Sequence, residues 1–283
     1  GGGRDATATH APWIVERNSV RIALLGYVEF KPRSFEADAS RPGVAWSGED
    51  DDVIEDIIAA RRVHRADIVI PFMHWGWEDE PDPSPRLRAF ARRMIDAAEA
   101  NGRVLMVGQV ERFNPAVDAV KRAIDGDDII SIQITRVGPF PPRMGEVGVV
   151  IDLAVHDIDI IRHLTGSEIV EVQPQLARTR AEREDTALLQ FRLENGVIAH
   201  ITTNWVTPYK TRTLQVATKT KFIVADLITR QVTEYFGQQP DGSYSTRGVM
   251  SWPNEPLKKE LEAFAHAIRT GEPPAVTGED GLR

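Results

Sequence analysis

The spacing of apolar residues changes near residue 125, and this change constrains the fold more than any other feature of the chain. Before it, short continuous apolar runs alternate with helix-type segments, as in parallel strands joined by helices. After it, most apolar segments alternate residue by residue with polar ones, which is typical of strands with one solvent-facing side. The sequence therefore predicts an α/β N-terminal region with a partial parallel sheet, followed by an α+β domain with a large open antiparallel sheet.

The N-terminal region contains three apolar runs and two amphipathic segments. Strands are predicted at 20–27, 66–73 and 103–108, and helices at 50–63 and 86–100. Acidic residues 49–52 precede the first helix, where the helix dipole favours negative charge. Ser84 is placed to cap the second helix.

The C-terminal region is richer in strands. They are predicted at 129–137, 186–193, 196–205, 212–218, 222–226 and 231–235, and helices at 152–163 and 255–270. The dipeptide Asn195-Gly196 favours a tight hairpin between two of these strands.

The segment 148–164, GVVIDLAVHDIDIIRHL, contains the strongest indication of chemistry. Asp152, His156, Asp159 and His163 recur at helical spacing, which places them on one face of a helix. A carboxylate that orients an imidazole, with apolar residues behind both, is suited to proton transfer at neutral pH. A solvated helix face with incidental charges and a zinc site built from the same Asp and His residues remain alternatives.

Length and composition exclude several classes of protein. A chain of 283 residues can form two domains, and its net charge of −8 argues against nucleic acid as the main partner. The absence of cysteine excludes disulfides and thiolate chemistry. No apolar run is long enough for a membrane helix and no signal peptide is recognisable, so we expect a cytoplasmic protein without a membrane partner.

From about residue 95 onward the chain resembles the Gfo/Idh/MocA family of oxidoreductases. The matching stretches are VGQVERFNP at 107–115, DLAVHDID at 152–159 and VTGEDGLR at 276–283. The ERFNP form looks most like members that act on nucleotide sugars, such as UDP-N-acetylglucosamine 3-dehydrogenases. The family normally continues into another helix beyond this point, so the C-terminus is expected to be truncated.

This resemblance implies hydride transfer from a sugar carbinol to NAD or NADP in a homo-oligomer. It assigns the catalytic pair to Asp152 and His156, with His156 as the acid/base at the sugar hydroxyl. Arg112 and Asn114 match positions near the nicotinamide and the substrate. Asp159 and Lys210 are further candidates for the vicinity of the sugar or nucleotide sugar. For Asn114 a helix-capping role is the alternative, and for Lys210 the alternative is packing in the core or at the rim.

The chain departs from the family pattern where the cofactor should bind. It contains no G-x-G-x-x-G sequence, and Tyr27 follows Gly26 where a second glycine would be expected soon after. The resemblance also implies a Glu-Lys-Pro motif that supplies a catalytic lysine. This lysine is missing, because no lysine occurs between Lys31 and Lys121.

Residues 12–97 resemble CapA-type proteins instead, which are metallophosphatase-like and linked to poly-γ-glutamate capsules. The stretches that carry this resemblance are IALLGYVEFKPRSFE at 22–36 and PFMHWGWE at 71–78. The family places the histidine of the His-Trp-Gly motif at a metal centre, which makes His74 a weak candidate ligand. The family's other ligand motifs are absent, so we expect no metal site and favour packing at a strand end.

The chain is thus interpreted as a chimera with a CapA-like fragment at 1–97 and a Gfo/Idh/MocA-type domain at 98–283. We expect an oxidoreductase that is impaired because the glycine-rich turn and the lysine are missing. The alternatives are a CapA-like capsule or metallophosphatase-type protein and a non-catalytic oligomerising chimera.

Overall fold

The computed structural model describes residues 2–29, 33–74, 84–141 and 148–282. The chain divides into two compact units, Gly1–Met94 and Ile95–Arg283. The predicted boundary between residues 97 and 98 rests on the resemblances and stays a prediction. Lys31, the WGWE part of the CapA-like motif and Arg283 lie outside the described residues.

The first unit is built from small sheets and helices. Its elements are β1 (Gly2–Gly3), α1 (Ala6–His10), β2 (Trp13–Arg17), β3 (Val20–Val28), a 3-10 turn (Arg33–Phe35), β4 (Gly43–Val44), α2 (Asp50–Arg62), β5 (Ile68–His74) and the first part of α3 (Pro85–Ala100). The side chain of Ser84 accepts a hydrogen bond from the Leu87 amide at 3.3 Å, so Ser84 caps α3 as predicted.

The sheet of the first unit has the order β2-β3-β5. Strands β3 and β5 are parallel, which confirms the predicted partial parallel sheet. Strand β2, which sequence patterning missed, pairs antiparallel with β3. Its hairpin turn holds Asn18 and Ser19 at φ values of 52° and 63°, the conformation that a two-residue type I′ turn requires.

The strand predicted at 103–108 does not form. The amide of Arg103 donates to the carbonyl of Ala98 at the end of α3, and the amide of Val107 donates to the carbonyl of Val276. These bonds lead to a helix end and to a loop rather than along a neighbouring strand. The prediction was therefore wrong at this element.

The second unit contains one large sheet and the helices that cover it. Its elements are a 3-10 turn (Val110–Phe113), α4 (Pro115–Ala123), β6 (Ile129–Pro139), a π-helical turn (Val150–Ala154), α5 (Val155–Thr165), β7 (Ile169–Ala177), β8 (Thr186–Leu193), β9 (Ile198–Asn204), β10 (Val206–Thr218), β11 (Lys221–Asp226), β12 (Gln231–Phe236), β13 (Ser245–Val249), α6 (Pro256–Thr270) and α7 (Gly278–Leu282).

The eight strands follow the order β13-β12-β11-β10-β6-β9-β8-β7. All neighbours are antiparallel except β6 and β9, which run parallel, so the predicted large sheet is mixed at its centre. The hairpin predicted at Asn195-Gly196 joins β8 to β9, and Gly196 has a φ of +86° that favours glycine.

The inner face of this sheet forms the main core. Its fully buried side chains include Ile132 and Ile134 of β6, Ile201 of β9 and Leu214 of β10, which pack with Ile160 and Ile161 of α5. Alternate residues of each strand face the other way, as the period of two requires. No helix among the described residues is long and apolar enough to cross a membrane.

A buried carboxylate orders the loop between β7 and β8. One oxygen of Asp185 accepts the backbone amides of Thr179 and Arg180 at 2.9 and 2.6 Å and the Thr179 hydroxyl at 2.8 Å. Burial opposes the charge, but the hydrogen bonds outweigh it and lower the pKa of Asp185 to about 2. The loop is thus tied to one anionic side chain.

Replacing Asp185 with Ala is expected to lower the free energy of unfolding by at least about 2 kcal/mol, because several donors lose a charged acceptor. Since the pKa is lowered, this stabilisation is present above the ordinary aspartate value and disappears as the pH falls towards 2. Urea denaturation of D185A and of the exposed-turn control D241A measures the effect. Equal losses in the two variants would contradict it.

Candidate active site

The predicted catalytic helix begins with a π-helical turn. Asp152 lies within this turn, Val150–Ala154, and His156 is the second residue of α5. The backbone carbonyl of Glu184 accepts the amide of Val149 at 2.9 Å, which fixes the entry to the turn. Single π-helical turns inside α-helices are frequent at functional sites because they change the direction of the side chains that follow.

His156 is half-buried and has one unused ring nitrogen. Its Nδ1 is buried and has no hydrogen-bond partner among the residues that the structure describes. The negative charge of Asp152 acts on the imidazole and favours its protonated form. Burial, and then the charge of Arg136, lower the pKa of His156 below its ordinary value of 6.5. The ring is therefore neutral, and able to accept a proton, at neutral pH.

A buried arginine lies beside this histidine. The Nε and Nη2 atoms of Arg136 donate to Oδ1 of Asp157 at 2.9 and 2.7 Å, and both side chains are almost fully buried. The Nη1 atom of Arg136 donates to Oε1 of Glu111 at 2.9 Å. Burial lowers the pKa of Arg136, but the two carboxylates outweigh it, so its pKa is raised and the charge is retained.

Glu111 connects two neighbouring strands. Arg136 of β6 and Arg212 of β10 stand directly opposite each other in the sheet. Both donate to Oε1 of Glu111, Arg212 at 3.2 Å, so the carboxylate offsets a cross-strand pair of like charges. Burial raises the pKa of Glu111, but the two guanidinium groups and the amide of Asn114 reverse this and lower it.

A second buried ion pair lies further along α5. The Nε and Nη2 atoms of Arg112 donate hydrogen bonds to Asp159, each at 2.7 Å to a different carboxylate oxygen. Its Nη1 atom donates to the carbonyl of Ala275 at 3.1 Å. Both residues were predicted near substrate or cofactor, and the structure places them in contact with each other.

The other two predicted neighbours of the substrate have different surroundings. Asn114 caps α4 by accepting the Ala116 amide at 3.0 Å, and its amide group donates to Glu111 and to the carbonyl of Leu227. The capping alternative is thus confirmed. Lys210 is exposed on β10 and passes beside Gly138 of β6.

His163, the last member of the predicted helical stripe, contacts Lys121. The Nζ atom of Lys121 lies 3.3 Å from Nε2 of His163 and 3.2 Å from its carbonyl oxygen. Burial, and then the charges of Lys121 and Arg112, lower the pKa of His163 to about 4. Within the stripe, the charge of Arg136 therefore acts on His156, whereas Arg112 pairs with Asp159 and its charge acts on His163.

His74 is the exposed last residue of β5. Within the described ranges, no group of three or more His, Cys, Asp or Glu side chains is arranged to hold a metal ion.

Sequence patterning missed four charged residues of the site, namely the almost fully buried pair of Arg136 and Asp157 and the more exposed pair of Glu111 and Arg212. One signal was available. Ile132, Ile134 and Arg136 follow the inward period of β6, so the pattern places an arginine in the core, where it needs an anionic partner. The identity of that partner could not be found in the same way, because Glu111 is remote in sequence.

The described residues of the first unit do not match a dinucleotide cradle. Such a cradle needs a glycine-rich turn that leads directly into a helix whose N-terminus faces the pyrophosphate. Here β3 is followed by the buried Glu29, and the next α-helix, α2, carries Asp50, Asp51 and Asp52 in its first turn. Negative side chains at that end oppose an anionic ligand.

Replacing Asp159 with Ala is expected to lower the free energy of unfolding by about 3 kcal/mol, because Arg112 stays buried without its main countercharge. The exposed pair of Glu171 and Arg192 supplies the control, since E171A should cost less than about 1 kcal/mol. Chemical denaturation distinguishes the two. A small effect of D159A would mean that this ion pair does not hold the domain together.

Comparison with known proteins divides the chain into two parts. Residues 120–223 match the family model of the GFO/IDH/MocA C-terminal domain. Residues 1–109 match the family model of the bacterial capsule synthesis protein PGA_cap.

The UDP-N-acetylglucosamine 3-dehydrogenase of Acidithiobacillus ferrooxidans is 25% identical to this chain over 201 residues, which are 68% of this chain and 63% of the relative. A solved structure of that enzyme superposes with a TM-score of 0.64, at 25% identity, over 69% of this chain and 64% of the enzyme. This chain thus spans about three fifths of the length of that relative.

The capsule protein CapA of Bacillus subtilis is 39% identical over 80 residues, which are 28% of this chain and 20% of CapA. Levoglucosan dehydrogenase, solved in complex with NADH and L-sorbose, shares the fold at 21% identity, with a TM-score of 0.58 over 69% of this chain and 65% of that enzyme. The chain therefore combines a C-terminal part similar to Gfo/Idh/MocA sugar and nucleotide-sugar dehydrogenases with an N-terminal part similar to CapA-type proteins.

Proposed function

We propose that the second unit binds a sugar or nucleotide sugar at His156 and derives from an NAD(P)-dependent sugar dehydrogenase, and that the whole chain is impaired in this reaction. The observation that carries the proposal is the state of His156. It is half-buried, neutral at neutral pH, and placed beside a fixed network of charges. The similarity to UDP-N-acetylglucosamine 3-dehydrogenase supports the choice of substrate class.

In this proposal His156 takes the proton of a sugar hydroxyl group. A proton acceptor must be neutral before the reaction, and burial together with Arg136 favours that state. Asp152 carries a negative charge near the imidazole, which stabilises the imidazolium that forms. Arg112, Asn114 and Asp159 support this region from within the domain, and Lys210 is available to a polar substrate.

The impairment concerns the cofactor. A dehydrogenase of this type depends on NAD or NADP, and the acidic start of α2 and the buried Glu29 are poorly suited to a pyrophosphate. We therefore expect substrate binding to survive better than cofactor binding. A boundary near residues 97 and 98, a cytoplasmic location and a homo-oligomer belong to the same proposal.

Titration with NADH should show no saturation of nicotinamide fluorescence below about 1 mM, with or without a UDP-sugar. The same UDP-sugar should shift the NMR signals of His156. A control titration with uridine alone separates recognition of the nucleotide from recognition of the sugar. Saturable NADH binding at micromolar concentration would contradict the impairment, and unchanged His156 signals would contradict the substrate site.

Any dehydrogenase activity measured at high NAD concentration should fall by at least about 100-fold in H156A, because the proton acceptor is lost. His200 supplies the control, since it lies on β9 between the inward-facing Ala199 and Ile201 and so faces the opposite side of the sheet. H200A should retain the parent rate. Equal rates for H156A and the parent chain would exclude His156 as the acid/base.

A further inference from the structure

We propose that Arg136 is a positioning residue for His156: its guanidinium, held between Asp157 and Glu111, fixes the first turn of α5 on β6 and keeps a positive charge near the imidazole. This inference rests on the proposed role of His156. It concerns a residue that touches neither substrate nor cofactor and acts through its neighbours.

The first step of the argument is geometric. Asp157 follows His156 directly in α5, and three hydrogen bonds of 2.7 to 3.0 Å join it to Arg136. A bidentate arginine–carboxylate pair restricts both the distance and the angle between its partners. The backbone next to His156 is therefore held in one position relative to β6.

The second step concerns the other carboxylate that holds the guanidinium. Glu111 approaches Arg136 from the 3-10 turn before α4 and is itself held by Arg212 and Asn114. The guanidinium is thus bonded to carboxylates from two separate segments. It cannot move towards one carboxylate without losing the other, so the location of the positive charge is fixed.

The third step is the balance of charges around His156. Arg136 of β6 opposes protonation of the ring, whereas Glu111 of the 3-10 turn and Asp152 and Asp157 of its own helical segment favour it. Removing the arginine takes away the positive charge that opposes protonation of the ring. The imidazole would then gain a proton at higher pH and lose its ability to accept one at neutral pH.

The test is an NMR titration of the His156 ring in the full chain. In R136M the pKa of His156 should rise by at least about one unit, whereas R136K should keep it close to the parent value because the charge remains. R162Q is the matched control. R162Q removes an arginine of α5, the helix that contains His156. The partner of Arg162 is Glu168, which is not among the groups that act on His156, so this variant should leave the titration unchanged.

Any dehydrogenase activity should respond in the same order. Its acid limb should move to higher pH in R136M, stay in place in R136K and not move in R162Q. A role limited to stability would lower the rate or the thermal midpoint of R136M without moving the titration. The NMR titration of His156 does not require NADH binding, so the inference can fail or succeed separately from the proposed dehydrogenase function.

A charge-balanced variant decides the case in which R136M does not fold. R136M/D157L removes both partners of the buried pair and leaves no unpaired ion there. Since Arg136 acts on His156 more strongly than Asp157 does, the pKa of His156 should still rise, by less than in R136M. An unchanged titration in whichever variant folds would overturn the proposal.

Discussion

The buried guanidinium of Arg136 is the constraint on which the architecture around His156 depends. An ion removed from water costs several kcal/mol unless its partners satisfy it with good geometry. Asp157 and Glu111 provide that geometry from two different segments of the chain. Their pairing requires the start of α5 and the 3-10 turn to meet β6 in one arrangement. An apolar core alone would fix this arrangement less strictly, because hydrophobic contacts are not directional.

The positive and negative charges of this network also offset one another. Arg136 and Arg212 face each other across two strands and would repel each other if Glu111 were absent. Asp157 neutralises what remains of the charge on Arg136, and burial weakens solvent screening of every interaction. The half-buried ring of His156 is therefore exposed to charges whose positions are fixed. Its neutrality follows from the same contacts that fold the domain.

Local sequence patterns were sufficient for elements whose cause is local. The alternating residues of β8 gave its bounds, and Asn195-Gly196 identified the hairpin because its turn needs a positive φ. Asn114 could be recognised as a helix cap. The run at 103–108 failed because an apolar segment predicts burial but does not specify a strand partner. The π-helical turn at Asp152 has no sequence pattern that distinguishes it from an α-helix.

The charged part of the site was harder to predict, for a physical reason. The bond between Arg136 and Asp157 depends on how α5 lies against β6, and the bond to Glu111 depends on a turn that comes before both. No periodicity within one segment reports on such contacts. The sequence does show that a charge is buried. A charged residue at an inward position of a strand costs free energy unless it has a partner of opposite charge. At Arg136 that partner is Asp157, the carboxylate next to His156.

The first unit shows that alternating strands and helices can form without the residues that would bind a pyrophosphate. Alternating strands and helices arise from apolar periodicity, which the first unit retains in β3, α2 and β5. Binding of a pyrophosphate depends on a few further features. These are backbone amides that a glycine-rich turn leaves accessible and a helix N-terminus without competing anions. The first unit has Glu29 and Asp50 at comparable points, and both pair with Arg86. There, negative side chains already use the positive charge that a phosphate group would need.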